Sequence, residues 1–250
     1  MTPYQPGKFA EDVESEFEID KFIKIASNEN PYGPYPRSIE SMQRELLNLN
    51  HYPNSSFKRL RSALGHLHQV SSDCICLSHG AEGMLQTIGK CFIERGDEVI
   101  VPSVTYGLYT DITKVMGGRI IEATMKSDAT DLNAIQELLG PKTKLVWLAN
   151  PNNPTGTIVN RSAFLDLLDA MPKDAWIVLD EAYAEFADQA LLPDRVALIT
   201  EGRRIISVRT FSKAYGLAGA RLGYAIASEE MVTILDTVSE PFNANRVALA

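Results

Sequence analysis

A rhythm along the chain constrains its fold more than any single residue does. Apolar, strand-like runs recur near residues 74–77, 98–102, 119–124, 144–149, 175–179, 204–208 and 222–227. Helix-like spacing fills most of the gaps, at about 82–94, 107–116, 131–139 and 160–170. Strands alternating with helices predict an α/β fold with a mostly parallel central sheet covered on both faces. Near-continuous apolar strands such as Ala175-Trp176-Ile177-Val178-Leu179 support burial on both sides. In such sheets ligands bind at the carboxyl ends of the strands.

Before this rhythm begins, residues 1–35 are rich in Pro, Asn, Gly and acidic side chains and read as an extended arm without a core of its own. Helical spacing follows at 38–49 and 56–69, broken by Asn50-His51-Tyr52-Pro53-Asn54. The chain closes on Val247-Ala248-Leu249-Ala250, which reads as the start or middle of a helix, with no C-cap or turn chemistry. With 250 residues, 45% of them hydrophobic, a sizeable core is possible, as one large domain or two modest ones. A net charge of −8 gives no electrostatic pull toward nucleic acid. No signal peptide and no run of membrane-spanning length is visible. Cys74, Cys76 and Cys91 read as small apolar residues in a reducing cytosol rather than metal ligands.

Three polar clusters fall just after three of the strand-like runs: Asn150-Pro151-Asn152-Asn153-Pro154-Thr155-Gly156, Asp180-Glu181-Ala182-Tyr183 and Arg209-Thr210-Phe211-Ser212-Lys213. The intervals between them each fit one crossover unit, so all three could meet at one sheet edge. Singly, each has a plain explanation: a turn, a helix cap, a solvated lysine. Three at consecutive strand ends, with a lysine and an aspartate among them, argue for a site.

With those residues in view, the chain resembles the fold-type I enzymes that use pyridoxal 5'-phosphate (PLP), and among them the histidinol-phosphate aminotransferase family. The resemblance rests on the three clusters, the last extended through Ala214-Tyr215-Gly216-Leu217-Ala218-Gly219-Ala220-Arg221-Leu222-Gly223-Tyr224. Asn28-Glu29-Asn30-Pro31-Tyr32-Gly33-Pro34 and Pro241-Phe242-Asn243-Ala244-Asn245 match as well. It implies a PLP-binding large domain over 36–250, preceded by the arm at 1–35. It also implies a C-terminal small domain, carrying substrate-binding arginines, that is missing from this sequence.

What the resemblance implies for individual residues follows the needs of the cofactor, an electron sink that the protein must hold and tune. Lys213 forms the Schiff base and then moves the substrate proton. Asp180 keeps the pyridine nitrogen protonated. Asn153 and Tyr183 bond the phenolic oxygen, and Tyr106 stacks on the ring. Gly80, Ala81 and Glu82 cradle the phosphate at a helix start, with Thr210, Ser212 and Arg221 completing the site. Tyr52 reaches the phosphate of a neighbouring subunit, which implies a homodimer with shared sites. Asn30, Tyr32 and Gly33 contact substrate. Two departures stand out: Gly83 replaces the second residue of the family's acidic pair, and His79 replaces a small polar residue.

The activity implied is transfer of an amino group between histidinol phosphate and 2-oxoglutarate, a cytoplasmic step of histidine biosynthesis. Competing readings are an aromatic amino-acid aminotransferase, a PLP-dependent decarboxylase of a phosphorylated amino acid, and an inactive remnant of the fold. No metal, membrane or nucleic-acid partner is expected.

Overall fold

A computed structural model describes residues 8, 10–17 and 23–250. The first element, α1 (Ala10–Phe17), lies inside the stretch read as extended. Its Glu-Asp-Val-Glu-Ser-Glu composition is compatible with a short helix, and the abundance of Pro and Gly on either side masked it. Next come α2 (Pro36–Glu45) and α3 (Lys58–His68). Pro36 opens α2, where its missing N–H costs nothing, and the expected helix over 38–49 tightens after Glu45 into a 3-10 turn, Leu46–Asn48.

The alternating region then delivers β1 (Ile75–Ser78), α4 (Gly80–Phe92), β2 (Glu98–Pro102), α5 (Leu108–Met116) and β3 (Arg119–Ala123). A small hairpin, β4 (Met125–Lys126) with β5 (Ala129–Thr130), leads to α6 (Leu132–Glu137). There follow β6 (Thr143–Ala149), α7 (Arg161–Ala170), β7 (Trp176–Asp180), α8 (Arg195–Thr200), β8 (Ile205–Thr210), β9 (Gly223–Ile226) and α9 (Glu229–Val238). Side-chain caps start α6, α7, α8 and α9: Asp131, Asn160, Asp194 and Ser228 each accept a first-turn N–H. Helices α8 and α9 are elements that the apolar rhythm did not announce. The final residues are not a running helix: 246–249 form a turn, and the Asn245 side chain accepts the Ala248 N–H at 2.8 Å.

Seven strands form one sheet in the order β1-β9-β8-β7-β6-β2-β3. All neighbours are parallel except β9, which runs antiparallel to both β1 and β8. Strand side chains alternate between two cores, as the period of two requires. Ile75, Leu77, Val146, Leu148, Ile177, Leu179, Ile205 and Ile226 pack on one face with Leu64, Phe164 and Leu198. Cys76, Leu145, Trp147, Val178, Ile206, Val208 and Ala225 pack on the other with Met84, Ile112 and Leu235. Helices thus cover both sides. The strand order reverses between β2 and β6: from β2 the chain moves outward to β3, then returns to β6 and proceeds the other way. That switch point opens a crevice at the carboxyl ends of the strands.

Below the sheet edge, His68 accepts from Arg195 through Nδ1 (3.3 Å), so Nε2 carries the proton and donates to the Tyr224 hydroxyl at 2.8 Å. Burial, then the Arg195 and Arg209 charges, lower its pKa to about 4. The unfolded chain therefore binds a proton between the ordinary histidine pKa and about 4 that the folded chain refuses. Stability is lost as pH falls through this window. Solvent screening at a half-buried site leaves an effect on the order of 1 kcal/mol. Thermal melts at pH 7 and 4.5 should show a smaller drop for His68→Gln than for the parent; equal drops would remove His68 from the account.

Candidate active site

The three polar clusters leave β6, β7 and β8, which are adjacent and parallel, so they do meet at one edge. The turn after β6 is fixed mainly by two asparagines other than the one expected to contact ligand. Asn150 Oδ1 accepts the Val159 N–H at 3.0 Å. Asn152 accepts from Thr105 at 2.9 Å and donates to the Val104 carbonyl and to Thr155, tying the loop after β6 to the loop after β2 across the switch point. Asn153 sits half-buried in the same turn.

Asp180 ends β7 and is buried. Its Oδ2 accepts the Tyr109 hydroxyl at 2.8 Å, and its Oδ1 accepts the Ala182 N–H at 3.0 Å. Burial raises its pKa, and these two donors oppose that shift. The next residue, Glu181, faces the opposite side of the sheet, as strand alternation dictates. There it is fully buried, accepts from Ser207 at 2.5 Å and pairs with Arg195 at 2.8 Å and Arg209 at 3.7 Å. The Asp-Glu pair thus divides into one carboxylate facing the crevice and one bracing β7 against β8.

Lys213 follows β8. Its Nζ lies 5.7 Å from the centre of the Tyr183 ring and donates to the Ser27 carbonyl at 2.8 Å. Burial lowers the pKa of its amine, against the pull of Glu29 and Glu82, which favours the neutral, nucleophilic form. The Tyr183 hydroxyl accepts from Asn28 at 2.9 Å, and Asn30 donates to the Ala214 carbonyl at 3.1 Å. Asn30 also organises its own turn, accepting from Tyr32 N at 3.0 Å through its side chain and from Gly33 N at 3.2 Å through its carbonyl. Residues 27–33 therefore lie across the lysine loop, with Tyr32 pointing out, 95% exposed.

Gly216 makes that crossing possible. Its φ is +68°, and a Cβ there would lie 2.3 Å from the Gly33 carbonyl oxygen. Gly216→Ala should cost about 1–2 kcal/mol in the left-handed backbone alone, and it should also push residues 33–34 away. Hydrogen exchange at Asn28–Gly33 is expected to quicken while β6, β7 and β8 stay protected. Unchanged exchange at 28–33 would show that the two segments adjust independently.

A second cluster gathers where β1 and β9 end and begin. Gly80 and Ala81 form the first turn of α4 rather than preceding it. Gly80 has φ +85°, and a Cβ on it would meet the Arg221 guanidinium at 2.6 Å. Gly223 passes so close that its Cβ would meet Ala81 N at 2.5 Å. Thr210 Oγ1 accepts the Ser212 N–H at 3.1 Å and donates to Ser212 Oγ at 2.9 Å. Arg221 donates to the Ala218 carbonyl at 3.1 Å and pairs with Glu82 at 3.3 Å, while Tyr106 donates to the same carboxylate at 2.5 Å. An anion entering this cradle competes with Glu82 for Arg221. The departure at Gly83 has a steric counterpart: a Cβ there would meet the His79 ring at 2.7 Å, so the histidine lies over the glycine.

Tyr52 stands apart in its contacts. It stacks on Phe242 with ring centres 4.5 Å apart, its carbonyl accepts from Arg246, and it is 78% exposed. Sequence reasoning missed Tyr109, Asn152 and the carbonyl of Ser27. Asn152 lies within the first cluster, beside the asparagine assigned to the ligand, whereas Tyr109 and Ser27 carry no motif signal, since a buried tyrosine on a helix reads as core.

A sheet with this switch point, carrying a lysine, a buried aspartate and a glycine–arginine cradle at its edge, defines a class of aminotransferase-like folds. The aminotransferase class I and II family profile matches residues 20–250, and the chain belongs to that family. Among curated proteins it is 38% identical to histidinol-phosphate aminotransferase of Bacillus pumilus, over 100% of this chain and 69% of that protein. It is 39% identical to the Anaeromyxobacter protein of the same name, with the same coverage. The crystal structure of histidinol-phosphate aminotransferase from Sinorhizobium meliloti, in complex with PLP, superposes with a TM-score of 0.90 at 29% identity, covering 100% of this chain and 68% of that one. L-threonine-O-3-phosphate decarboxylase from Porphyromonas gingivalis superposes at 0.74 with 27% identity, covering 86% and 66%.

Proposed function

We propose that this chain holds PLP on Lys213 and transfers the amino group of histidinol phosphate to 2-oxoglutarate, yielding imidazole-acetol phosphate and glutamate. The observation that carries the reading is the placement of a half-buried lysine beside Tyr183 at the end of β8, with a buried carboxylate at the end of neighbouring β7. The residues fit the cofactor. The Arg221 guanidinium packs against the bare Cα of Gly80, where a Cβ would lie 2.6 Å from it, so its positive charge sits at the first turn of α4, where a phosphate would be held. Asp180 keeps unused acceptor capacity on a buried carboxylate, suited to a protonated ring nitrogen.

Bound there, PLP supplies an electron sink for the charge that develops at the substrate α carbon. The chain's own residues do the rest. Lys213 would be the covalent attachment point, and its amine would move the proton at the substrate α carbon. Asp180 holds the ring nitrogen protonated by charge. Arg221, Ser212, Thr210 and the first N–H groups of α4, from Gly80, Ala81 and Glu82, bind phosphate. Asn153 and Tyr183 would hydrogen-bond the phenolic oxygen, and Tyr106 would lie over the ring face. Asn30 and Gly33, which cross the lysine loop, would lie on the substrate side, and Tyr32, now exposed, would have to turn inward to contact substrate.

The substrate follows the curated relatives, which carry the name histidinol-phosphate aminotransferase over the whole chain. We also assign residues 36–250 to one PLP-binding domain with 1–35 as its arm, a homodimer in which Tyr52 serves the partner's phosphate, and a cytoplasmic setting. Tyr52 is 78% exposed and so open to a partner, although its ring stacks on Phe242 of its own chain. Among the described residues no helix is long and apolar enough to cross a membrane. The test is a half-reaction panel with PLP-loaded protein. Histidinol phosphate should react fastest, ahead of aromatic amino acids. Carbon dioxide release from threonine phosphate would instead select the decarboxylase reading.

A further inference from the structure

Tyr109 lies outside every motif, yet it is the residue most tightly joined to Asp180. It is fully buried. Its ring is stacked on Trp147 with centres 5.3 Å apart and planes 4° from parallel, and it meets Tyr106 edge-to-face with centres 5.7 Å apart. The backbone is held too: Thr113 donates to the Tyr109 carbonyl at 2.7 Å and accepts from the Trp147 indole at 3.3 Å. A ring fixed on this many sides aims its hydroxyl in one direction, and that direction is Asp180 Oδ2, at 2.8 Å.

We propose that Tyr109 is a positioning residue, whose hydroxyl holds the Asp180 carboxylate ionised and in one orientation so that it can pair with the protonated ring nitrogen of the cofactor. The role rests on the PLP reading above. Its physical basis is independent of any motif. A carboxylate buried to this degree tends to take up a proton, and donors that bond its charged form oppose that tendency. Asp180 has two: the Ala182 N–H on Oδ1 and the Tyr109 hydroxyl on Oδ2. The backbone donor is present whatever residue follows, so the hydroxyl is the part the side chains contribute. Burial and the adjacent carboxylate push the Tyr109 pKa well up, so it remains a donor throughout the working range. Each Asp180 oxygen keeps a further lone pair for a cationic partner.

Tyr109→Phe isolates the hydroxyl while keeping the stacked ring, and Tyr109→Leu removes both. In the protein without cofactor, the carboxyl carbon resonance of Asp180 should titrate at higher pH in Tyr109→Phe than in the parent. PLP affinity should fall about tenfold, the size expected for losing a hydrogen bond to a charged group. In an Asp180→Asn background the same substitution should change affinity less than about twofold, since the charge it serves is gone. A ring that only packs would give a different pattern: Phe would restore melting temperature and affinity alike, and Leu would lose both. Tyr109→Phe with the parent's Asp180 titration and PLP affinity overturns the proposal. A parent protein that takes up no PLP overturns the cofactor reading and this role together, whereas normal uptake by parent and variant alike overturns only Tyr109.

Discussion

Lys213→Ala is expected to abolish covalent capture of PLP and to lower amino-group transfer by at least about 10⁴-fold, because one substitution removes both the attachment point and the proton carrier. The structure gives the reason for so large an effect. Lys213 is the residue whose amine reaches over Tyr183, beside the Asn28–Gly33 crossing. Lys24 is paired with Glu29, and Lys90 lies 4.0 Å from Glu240, so these amines serve other partners. Borohydride reduction of the PLP-treated parent, followed by peptide mapping, should place the adduct on Lys213 and find none in the variant. The fold should survive, since the side chain is half-buried and, among the described residues, its amine bonds only the Ser27 carbonyl. An adduct on another lysine in the parent would remove the assignment.

Asp180→Asn should be nearly as costly to turnover but milder in binding. The amide is close in size to the carboxylate: its oxygen can still accept the Ala182 N–H, and its NH2 can donate to the Tyr109 hydroxyl once that hydroxyl turns to accept, so the end of β7 is expected to keep its shape. What it loses is the charge that keeps a ring nitrogen protonated. PLP should remain attached to Lys213, while the half-reaction slows on the order of 10²–10³-fold, as for loss of one preorganised electrostatic group. Single-turnover rates with histidinol phosphate measure this directly. Parent-like rates in the variant would make Asp180 a structural residue only. Glu181→Gln is the instructive contrast. That carboxylate faces Ser207, Arg195 and Arg209 on the far side of the sheet, so its loss should weaken the fold before it touches the chemistry.

Much of this was legible in the residue order. Every strand-like run corresponds to a strand of the main sheet; the central ones stand out because strands buried on both faces carry near-continuous apolar residues, and edge strand β3 shows only a short Ile120-Ile121 run between Arg119 and Glu122. The helices that were missed, α1, α8 and α9, are short or sit among polar and turn-forming residues, where periodicity over two or three turns is faint. Asp180 and Lys213 were visible because charged groups at the ends of apolar strands are out of place unless they have a task. Tyr109 was not, because a tyrosine on an amphipathic helix looks the same whether its hydroxyl meets water or a buried carboxylate.

The amino-acid sequence by itself determined the alternation of strand and helix, the positions of the clusters at strand ends, and the family. These are local or pairwise properties, set by apolar spacing and motif identity. Only the tertiary structure decided which strands are neighbours, that β9 is antiparallel, and that Asp180 and Glu181 serve opposite faces of the sheet. It alone laid residues 27–33 across Lys213 and aimed Tyr109 at Asp180, contacts that span 186 and 71 residues. Such contacts carry no local signature. They follow from chain closure around two shared cores, where burial selects one arrangement of elements and only then brings distant polar atoms within bonding distance.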